Sequence, residues 1–116
     1  MKLRLPIAFI LATSLLHLTG CATTITDGGR QVMMVTALSA AEAQNYEEIG
    51  PLKCQELTKL PDIEESCRNQ LRNDASSQGA DIIVIESHDI IDCWPNKSHD
   101  CLQMTGRAYH RKPKQT

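Results

Sequence analysis

Five side chains of the types that bind zinc fall close together in the second half of the chain. They are His88, Asp89, Cys93, His99 and Cys101. Imidazole, carboxylate and thiolate groups are the ligands that zinc takes in proteins. The spacing is not that of a standard zinc finger, and a disulfide between the two cysteines would remove both thiolates. We therefore expect no metal and no cofactor here, and keep a zinc-binding domain as an alternative.

The same region contains candidates for acid–base catalysis. His88 with Asp89 or Glu86 could form a general base and the group that orients it. The sequence has no nucleophile in a recognisable setting and no glycine-rich phosphate loop. Acids and histidines on a loop are usually just solvated. We therefore predict that the protein is not an enzyme and has no catalytic residues.

The amino-terminal residues have the three parts of a secretory signal. Residues 1–4 carry two positive charges, residues 5–16 are almost wholly apolar, and small residues precede Cys21. The apolar run is shorter than the roughly 20 residues that a membrane helix needs. The run Leu18-Thr19-Gly20-Cys21 resembles the lipobox of bacterial lipoproteins. That resemblance implies cleavage before Cys21 and lipidation of this cysteine, so residues 1–20 are predicted to be a lipoprotein signal peptide.

Residue 22 bears on which membrane the lipid would enter. It is alanine rather than aspartate. By resemblance to the sorting rule of enteric bacteria, alanine implies the outer membrane, with the domain on the periplasmic face. Several acyl chains, each burying many methylene groups at about 0.8 kcal/mol per CH₂, make such an anchor long-lived.

The other cysteines form an even set once Cys21 carries a lipid. They are Cys54, Cys67, Cys93 and Cys101. Four cysteines in an oxidising compartment indicate two disulfides, and three pairings are possible. We favour local pairing, Cys54 with Cys67 and Cys93 with Cys101, since both loops are short and a loop of about 15 residues is worth about 3 kcal/mol in the chain-entropy model.

Composition after removal of the signal fits one small acidic domain. Residues 21–116 contain ten Lys and Arg against fourteen Asp and Glu, which is not the basic footprint of a nucleic-acid-binding protein. Residues 21–31 are small, polar and glycine-containing, and predict a lipidated flexible tether. Residues 32–111 are predicted to be a single domain. Residues 112–116 are predicted to be a frayed basic tail, with contact to anionic lipid or cell-wall polymer as the alternative.

Hydrophobic patterning predicts strands and one long helix in the order β-β-α-β-β. The helix is predicted over 62–78, with Asp62 as its cap, Gly79 as its stop and one apolar stripe. That stripe consists of Ile63, Cys67, Leu71 and Ala75. Strands are predicted at 32–37, 46–54, 82–85 and 102–110, with Ile90 and Ile91 extending the third, a helical turn at 39–44, and a polar loop at 92–100.

This order predicts a two-layer α+β domain. A small antiparallel or mixed four-stranded sheet would carry the helix on one face. The dipeptide Gly50-Pro51 inside the second predicted strand indicates an edge strand, a bulge or an early end, because proline cannot donate a ladder hydrogen bond.

The chain from about residue 32 to 110 resembles the RcsF-type periplasmic domain and its lipoprotein relatives. The resembling residues are the run Ile49-Gly50-Pro51-Leu52-Lys53-Cys54, the run Leu71-Arg72-Asn73-Asp74-Ala75 leading into Gln78-Gly79-Ala80-Asp81, the strand 82–85, and Cys93 and Cys101. Glu86, Ser87 and His88 stand where that family has a cysteine, and its long basic linker is missing.

The resemblance implies an outer-membrane lipoprotein that senses envelope stress and passes the signal to inner-membrane partners without catalysis. It also implies a long-range disulfide, which would pair Cys54 with the region of Cys93 and leave Cys67 to pair with Cys101.

We therefore expect a membrane-anchored, non-catalytic interaction or envelope-stress sensing module. Its expected partners are the lipid bilayer, through acylated Cys21, and an envelope protein, with no nucleic acid or small-molecule substrate. The predicted binding surface is the loop 89–100 or an exposed sheet edge. Trp94 is the candidate anchor because aromatic residues dominate hot spots, and His88, Asp89 and His99 are further candidates. The alternatives are that Trp94 only covers the core, and that the protein is a structural envelope lipoprotein without a signalling role.

Overall fold

Seven elements make up the part of the chain that the computed structural model describes, residues 22–93 and 100–114. In chain order they are α1 (Asp27–Arg30), β1 (Met33–Val35), α2 (Ala40–Ala43), β2 (Tyr46–Leu57), α3 (Ile63–Ser77), β3 (Ile82–Asp92) and β4 (Asp100–Arg111). The four strands form one sheet in the order β1-β3-β4-β2, with β1 parallel to β3 and the other pairs antiparallel. The predicted α+β class, the mixed sheet and the single main helix are confirmed.

The apolar stripe of α3 supplies the helix side of the core. Cys67, Leu71 and Ala75 are fully buried, and Ile63 packs against the edge of the same cluster. Their sheet partners in this core include Leu52, Cys54, Ile83, Leu102 and Met104. A repeat of four residues places these side chains on one face of the helix, so the stripe read from the sequence is the packed face.

Gly79 ends α3 as predicted. Its φ is +83°, the left-handed conformation that glycine adopts at low cost. The amide of Gly79 donates to the carbonyl of Ser76, and the amide of Ala80 donates to that of Ala75, at 3.0 and 2.9 Å. This pair of bonds is the Schellman motif, which satisfies carbonyls at the end of the helix.

The predicted cap at Asp62 is wrong in its mechanism. Asp62 occupies the cap position, but its φ is 52° and ψ is 37°, and its side chain makes no cap hydrogen bond. A side-chain cap requires extended backbone at that residue, whereas left-handed backbone points the carboxylate elsewhere. The predicted turn at 39–44 does have a capping box, in which Ser39 accepts from the Glu42 amide and the Glu42 carboxylate accepts from Ser39.

The Gly50-Pro51 dipeptide has two of its three predicted consequences. β2 is an edge strand of the sheet, and its register with β4 shifts between Glu48 and Gly50. It does not end early, since pairing continues to Leu57 opposite Cys101. An edge strand needs ladder hydrogen bonds on one side only, so proline is tolerated there.

The third and fourth strands form a longer hairpin than predicted. β3 pairs with β4 from Ile82 opposite Tyr109 to Asp92 opposite Asp100, with a register shift between Ile85 and Ser87. The predicted extension of the third strand through Ile90 and Ile91 is confirmed, and Asp89 and Asp92, assigned to the predicted binding loop, are also strand because they pair with Gln103 and Asp100 of β4. Most of the predicted loop, residues 94–99, lies outside the described residues.

Two disulfides join neighbouring elements. Cys54 of β2 is bonded to Cys67 of α3, and Cys93 is bonded to Cys101 of β4, with Cα–Cα distances of 5.6 and 5.8 Å. This is the local pairing favoured from the sequence. The long-range pairing implied by the family resemblance is not the one in the structure.

Residues 22–31, named here the strap, differ from the expected flexible tether. The strap lies along α3 and contains the short helix α1, whose cap is the Thr26 hydroxyl accepting from the Gly29 amide at 2.9 Å. Gly29 is buried against the Asn73 side chain. Small residues that allow flexibility in isolation here allow a close approach to the helix, so the folded unit begins before residue 32.

Candidate interaction surface

His88 and Asp89 lie on opposite faces of the sheet. Directly paired residues on neighbouring strands point to the same face. His88 pairs with Met104, which pairs with Cys54, and Cys54 is bonded to α3, so His88 is on the helix face. Asp89 pairs with Gln103 on the other face. The two side chains therefore do not form the base and orienting group that the sequence suggested.

His88 contacts Glu64 in the first turn of α3. Its Nε2 atom is 3.4 Å from Glu64 Oε1, which also accepts from Arg68 Nη2 at 3.1 Å. The hydrogen bond from Arg68, followed by the charge of His88, lowers the pKa of Glu64 below its ordinary value. Both partners are about half exposed, so this cluster is a surface ion pair.

Trp94 and His99, two of the four predicted interaction residues, lie outside the described residues. Cys93 and Cys101 are joined, which removes two of the five zinc-ligand candidates as thiolates. Within residues 22–93 and 100–114, no group of three or more His, Cys, Asp or Glu is placed to hold a metal ion.

The sheet face opposite α3, named here the open face, carries a charged cluster. Arg107 lies at its centre and donates to Glu48 and Glu86 at 2.9 and 3.0 Å. These hydrogen bonds, with Glu86 the stronger cause, raise the pKa of Arg107. Glu48 and Arg107 are 59 residues apart in sequence, and only the strand register brings them together. Sequence reasoning missed this cluster for that reason.

One side of β3 has a long stretch without a partner strand. β1 pairs only with Ile82, Ile83 and Val84 of this strand, which continues to Asp92. Among the described strands, none covers the same side of residues 85–92, named here the free edge. Ile90 in this edge is 59% exposed. Unpaired amide and carbonyl groups along such an edge can pair with another extended chain.

The end of the sheet where β4 finishes carries a group of basic residues. Arg111 donates from Nη2 to the Tyr46 hydroxyl at 3.1 Å, and its guanidinium lies 5.5 Å from the ring centre. The hydrogen bond to Tyr46 raises the pKa of Arg111. The Lys112 amide donates to the Asn45 carbonyl at 2.8 Å, so the predicted tail begins as an ordered continuation of β4.

Comparison with known proteins identified no relative of this chain. No protein-family model matches the chain, and no curated protein matches it. In the described ranges, no helix is both long enough and apolar enough to cross a membrane.

Proposed function

We propose that this protein is a bacterial envelope lipoprotein whose domain is a non-catalytic interaction module for an envelope protein. The anchor is a lipid on Cys21, supported by the cationic, apolar and small-residue parts of the amino terminus and by the Leu18-Thr19-Gly20-Cys21 run. The outer membrane is the proposed site because residue 22 is alanine.

The observation that carries the interaction role is the free edge of β3. An extended segment of a partner could add to it as a further strand, with main-chain hydrogen bonds supplying affinity and alternate side chains supplying specificity. Glu86, His88 and Asp89 are charged or polar there, which discourages indiscriminate edge pairing. A partner strand would therefore need complementary basic or polar side chains.

Envelope-stress sensing is the finer proposal, and its support is the family resemblance alone. The disulfide pairing weakens that support, since the resemblance implied a long-range bond and the structure has two local ones. An interaction module needs no signalling step. A structural envelope lipoprotein without a partner is the alternative.

The anchor is tested with Cys21→Ser in the full-length chain. We expect wild-type protein to sediment with membranes and to incorporate labelled fatty acid, and C21S to lose both. Cys93→Ser/Cys101→Ser is the matched control, because it removes cysteines but keeps the lipidation site. Fatty-acid labelling of C21S at the wild-type level would contradict the proposal.

The free edge is tested by a photocrosslinking amino acid placed at residue 89 in cells. We expect one discrete protein adduct from residue 89 and none from residue 74, an exposed position near the end of α3 rather than on a strand. Residue 94 gives a third position, which tests the predicted role of Trp94. If residue 89 gives no adduct in membranes that contain the lipidated protein, the structural alternative is favoured.

A further inference from the structure

The strap is bound to α3 from its first described residues onward. The amide of Thr23 donates to Ser66 Oγ at 2.9 Å, and Asn69 Nδ2 donates to the carbonyl of Thr23 at 3.0 Å. One helix thus holds both the backbone amide and the backbone carbonyl of this residue. Thr23 therefore has a defined place beside the first two turns of α3.

Asn73 holds the next part of the strap. Its Nδ2 donates to the Thr24 carbonyl at 2.8 Å, and its Oδ1 accepts from the Thr26 amide at 2.9 Å and from the Thr26 hydroxyl at 3.0 Å. A side-chain amide that uses both its donor and its acceptor on one backbone segment fixes that segment's direction. The strap therefore runs parallel to α3, with its start at the amino-terminal end of the helix.

This arrangement leaves almost no free chain between Cys21 and the domain. Cys21 is two residues from Thr23. Two residues span at most about 7 Å when fully extended. A lipid on Cys21 would therefore sit next to the amino-terminal end of α3 rather than at the end of a long linker.

The end of the domain beside Cys21, named here the anchor end, can be identified from contacts. Ser66 Oγ, which accepts from Thr23, donates to Glu56 Oε1 at 2.8 Å. Glu56 pairs with Leu102, and Leu102 pairs with Ile90. The anchor end therefore consists of the start of α3, the end of β2, the end of β3 and the start of β4.

Two exposed apolar side chains lie at the anchor end. Leu60, in the turn between β2 and α3, is 38% exposed, and Ile90, near the end of β3, is 59% exposed. The remaining large apolar side chain that is exposed in the described residues, Met33, is 61% exposed and pairs with Ile82 at the opposite end of the sheet. Apolar exposure is thus present on the side where the lipid would be.

The charges at the anchor end are mostly negative, with Lys59 and Arg68 as the exposed basic residues there. Asp62, Glu64 and Glu65 are exposed at the start of α3, and Asp92 and Asp100 are exposed at the ends of the hairpin strands. Three further basic residues, Arg111, Lys112 and Lys114, are at the opposite end, where β4 finishes. An anionic surface would repel the anchor end, whereas a zwitterionic surface would not.

We propose that the anchor end lies on the headgroups of a zwitterionic bilayer, with Leu60 and Ile90 in contact with the bilayer surface. This inference rests on the proposed lipidation of Cys21. The strap restricts the orientation of the domain on the bilayer, because the lipidated cysteine would be only two residues from Thr23, which is bound to α3. The basic end and the start of the sheet then point away from the membrane, and the last residues of the free edge lie near the headgroups.

The test uses methyl NMR of the lipidated full chain in phosphatidylcholine nanodiscs. A small fraction of gadolinium-chelating lipid broadens signals near the bilayer surface. We expect the methyl signals of Leu60 and Ile90 to lose most of their intensity and the Met33 methyl to keep its own. Met33 is the matched control for Ile90, since it is an apolar side chain of nearly the same exposure at the other end of the sheet. Equal broadening of all three would overturn the orientation.

The double variant Asn69→Ala/Asn73→Ala tests whether the strap sets the orientation of the domain on the bilayer. It removes four of the five side-chain hydrogen bonds that hold Thr23, Thr24 and Thr26 on α3 and leaves only the one from the Thr23 amide to Ser66. The difference in broadening between Ile90 and Met33 should therefore shrink severalfold. An unchanged contrast would show that the strap does not set the orientation. Circular dichroism of the variant checks that the fold is kept.

Lipid composition tests the headgroup preference, and mass spectrometry separates the two proposals. Replacing a third of the phosphatidylcholine by phosphatidylglycerol should weaken the broadening of Leu60 and Ile90 at low salt, and added salt should restore it. Stronger broadening on the anionic discs would overturn the zwitterionic preference. If mass spectrometry shows no acyl groups on Cys21, the proposed function itself is contradicted. If the protein is lipidated but Leu60, Ile90 and Met33 are broadened equally, only the proposed orientation is contradicted.

Discussion

At residue scale, Gly106 shows how closely the hairpin strands and their side chains approach one another. It lies in β4 on the helix face, opposite Leu52 on one side and Ile85 on the other. A Cβ atom at this position would lie 2.7 Å from the carbonyl oxygen of Val84 and 3.1 Å from Ile83 Cγ2. The first of these is a backbone atom of a paired strand and cannot move independently. The absence of a side chain is therefore a packing requirement.

Gly106→Ala is expected to lower the free energy of unfolding by about 1–3 kcal/mol, the usual cost of overpacking a core. Gly50→Ala is the matched control, because a Cβ at Gly50 meets nothing within 4 Å. Its expected effect is within about 0.5 kcal/mol. Urea unfolding followed by circular dichroism measures both. Similar losses in the two variants would contradict the steric explanation.

Glu64 makes a pH-dependent contribution to the stability of the folded domain. Because Arg68 and His88 lower its pKa in the folded state, its stabilising effect is present above the ordinary value of 4.5 and is lost as pH falls through the lower folded-state pKa. Glu64→Gln should therefore melt slightly below wild type at pH 7, and the two should converge as the pH falls below 4.5. Glu65→Gln is the control, since no ion pair is seen for Glu65 in the described residues. Melting temperatures from pH 3 to 7 provide the measurement, and a gap that widens in acid would contradict this reading.

At the scale of elements, the Cys54–Cys67 disulfide joins the two layers covalently, from β2 to α3. Cys54 and Cys67 are 1% and 0% exposed, and they lie among Leu52, Leu71 and Met104 in the core. The second disulfide joins the strands of one hairpin, which already pair through their backbones. The two bonds close loops of similar length but differ in what they hold together.

Cys54→Ala/Cys67→Ala is expected to destabilise the domain more than Cys93→Ala/Cys101→Ala. Chain entropy predicts about 3 kcal/mol for each loop, and the first pair adds the cost of small cavities in a filled core. Urea unfolding of both variants, with peptide mapping of the unreduced wild type, measures the difference. A larger loss from the hairpin pair, or a peptide linking Cys54 to Cys93, would contradict the assignment.

At the scale of the whole molecule, the strap changes where the domain begins. Sequence reasoning placed the boundary at residue 32, whereas hydrogen bonds to α3 start at Thr23. Gly29 is buried, and Val32, which follows α1, is 3% exposed in the core cluster. The strap and the rest of the domain therefore form one continuous folded unit from residue 23 onward, two residues after the proposed lipidation site.

A chain that starts at residue 32 should be less stable than one that starts at residue 22. The shorter chain loses the hydrogen bonds of Thr23, Thr24 and Thr26 and leaves Asn69 and Asn73 to solvent, so we expect a loss of about 1–3 kcal/mol. Removal of residues 112–116 from the other terminus is the control, because the described part of that segment forms one backbone hydrogen bond, from Lys112. Thermal unfolding compares the three chains. Equal melting temperatures for the two amino-terminal boundaries would show that the strap is not part of the folded unit.

Local features could be predicted from the sequence where one residue type meets one specific backbone or packing requirement. Gly79 at the end of α3, the Ser39–Glu42 capping box and the four-residue stripe from Ile63 to Ala75 are all of this kind. Asp62 shows the limit, since the same residue type is compatible with both a cap and a left-handed turn. The candidate site was predicted less well, because facing directions in a strand change with one bulge, and the bulge between Ile85 and Ser87 fixes the face on which His88 lies.

The sequence by itself determined the class of fold, the even set of four cysteines and the expectation of a lipid on Cys21, because each depends on residue types and short spacings. Only the tertiary structure decided which faces His88 and Asp89 occupy, which edge of the sheet is free, and that residues 22–31 lie on α3. These depend on contacts between residues far apart in the sequence, such as Thr23 with Ser66, 43 positions apart, and Glu48 with Arg107, 59 positions apart. No local pattern encodes such pairs, since they follow from strand register and layer packing after the chain has folded.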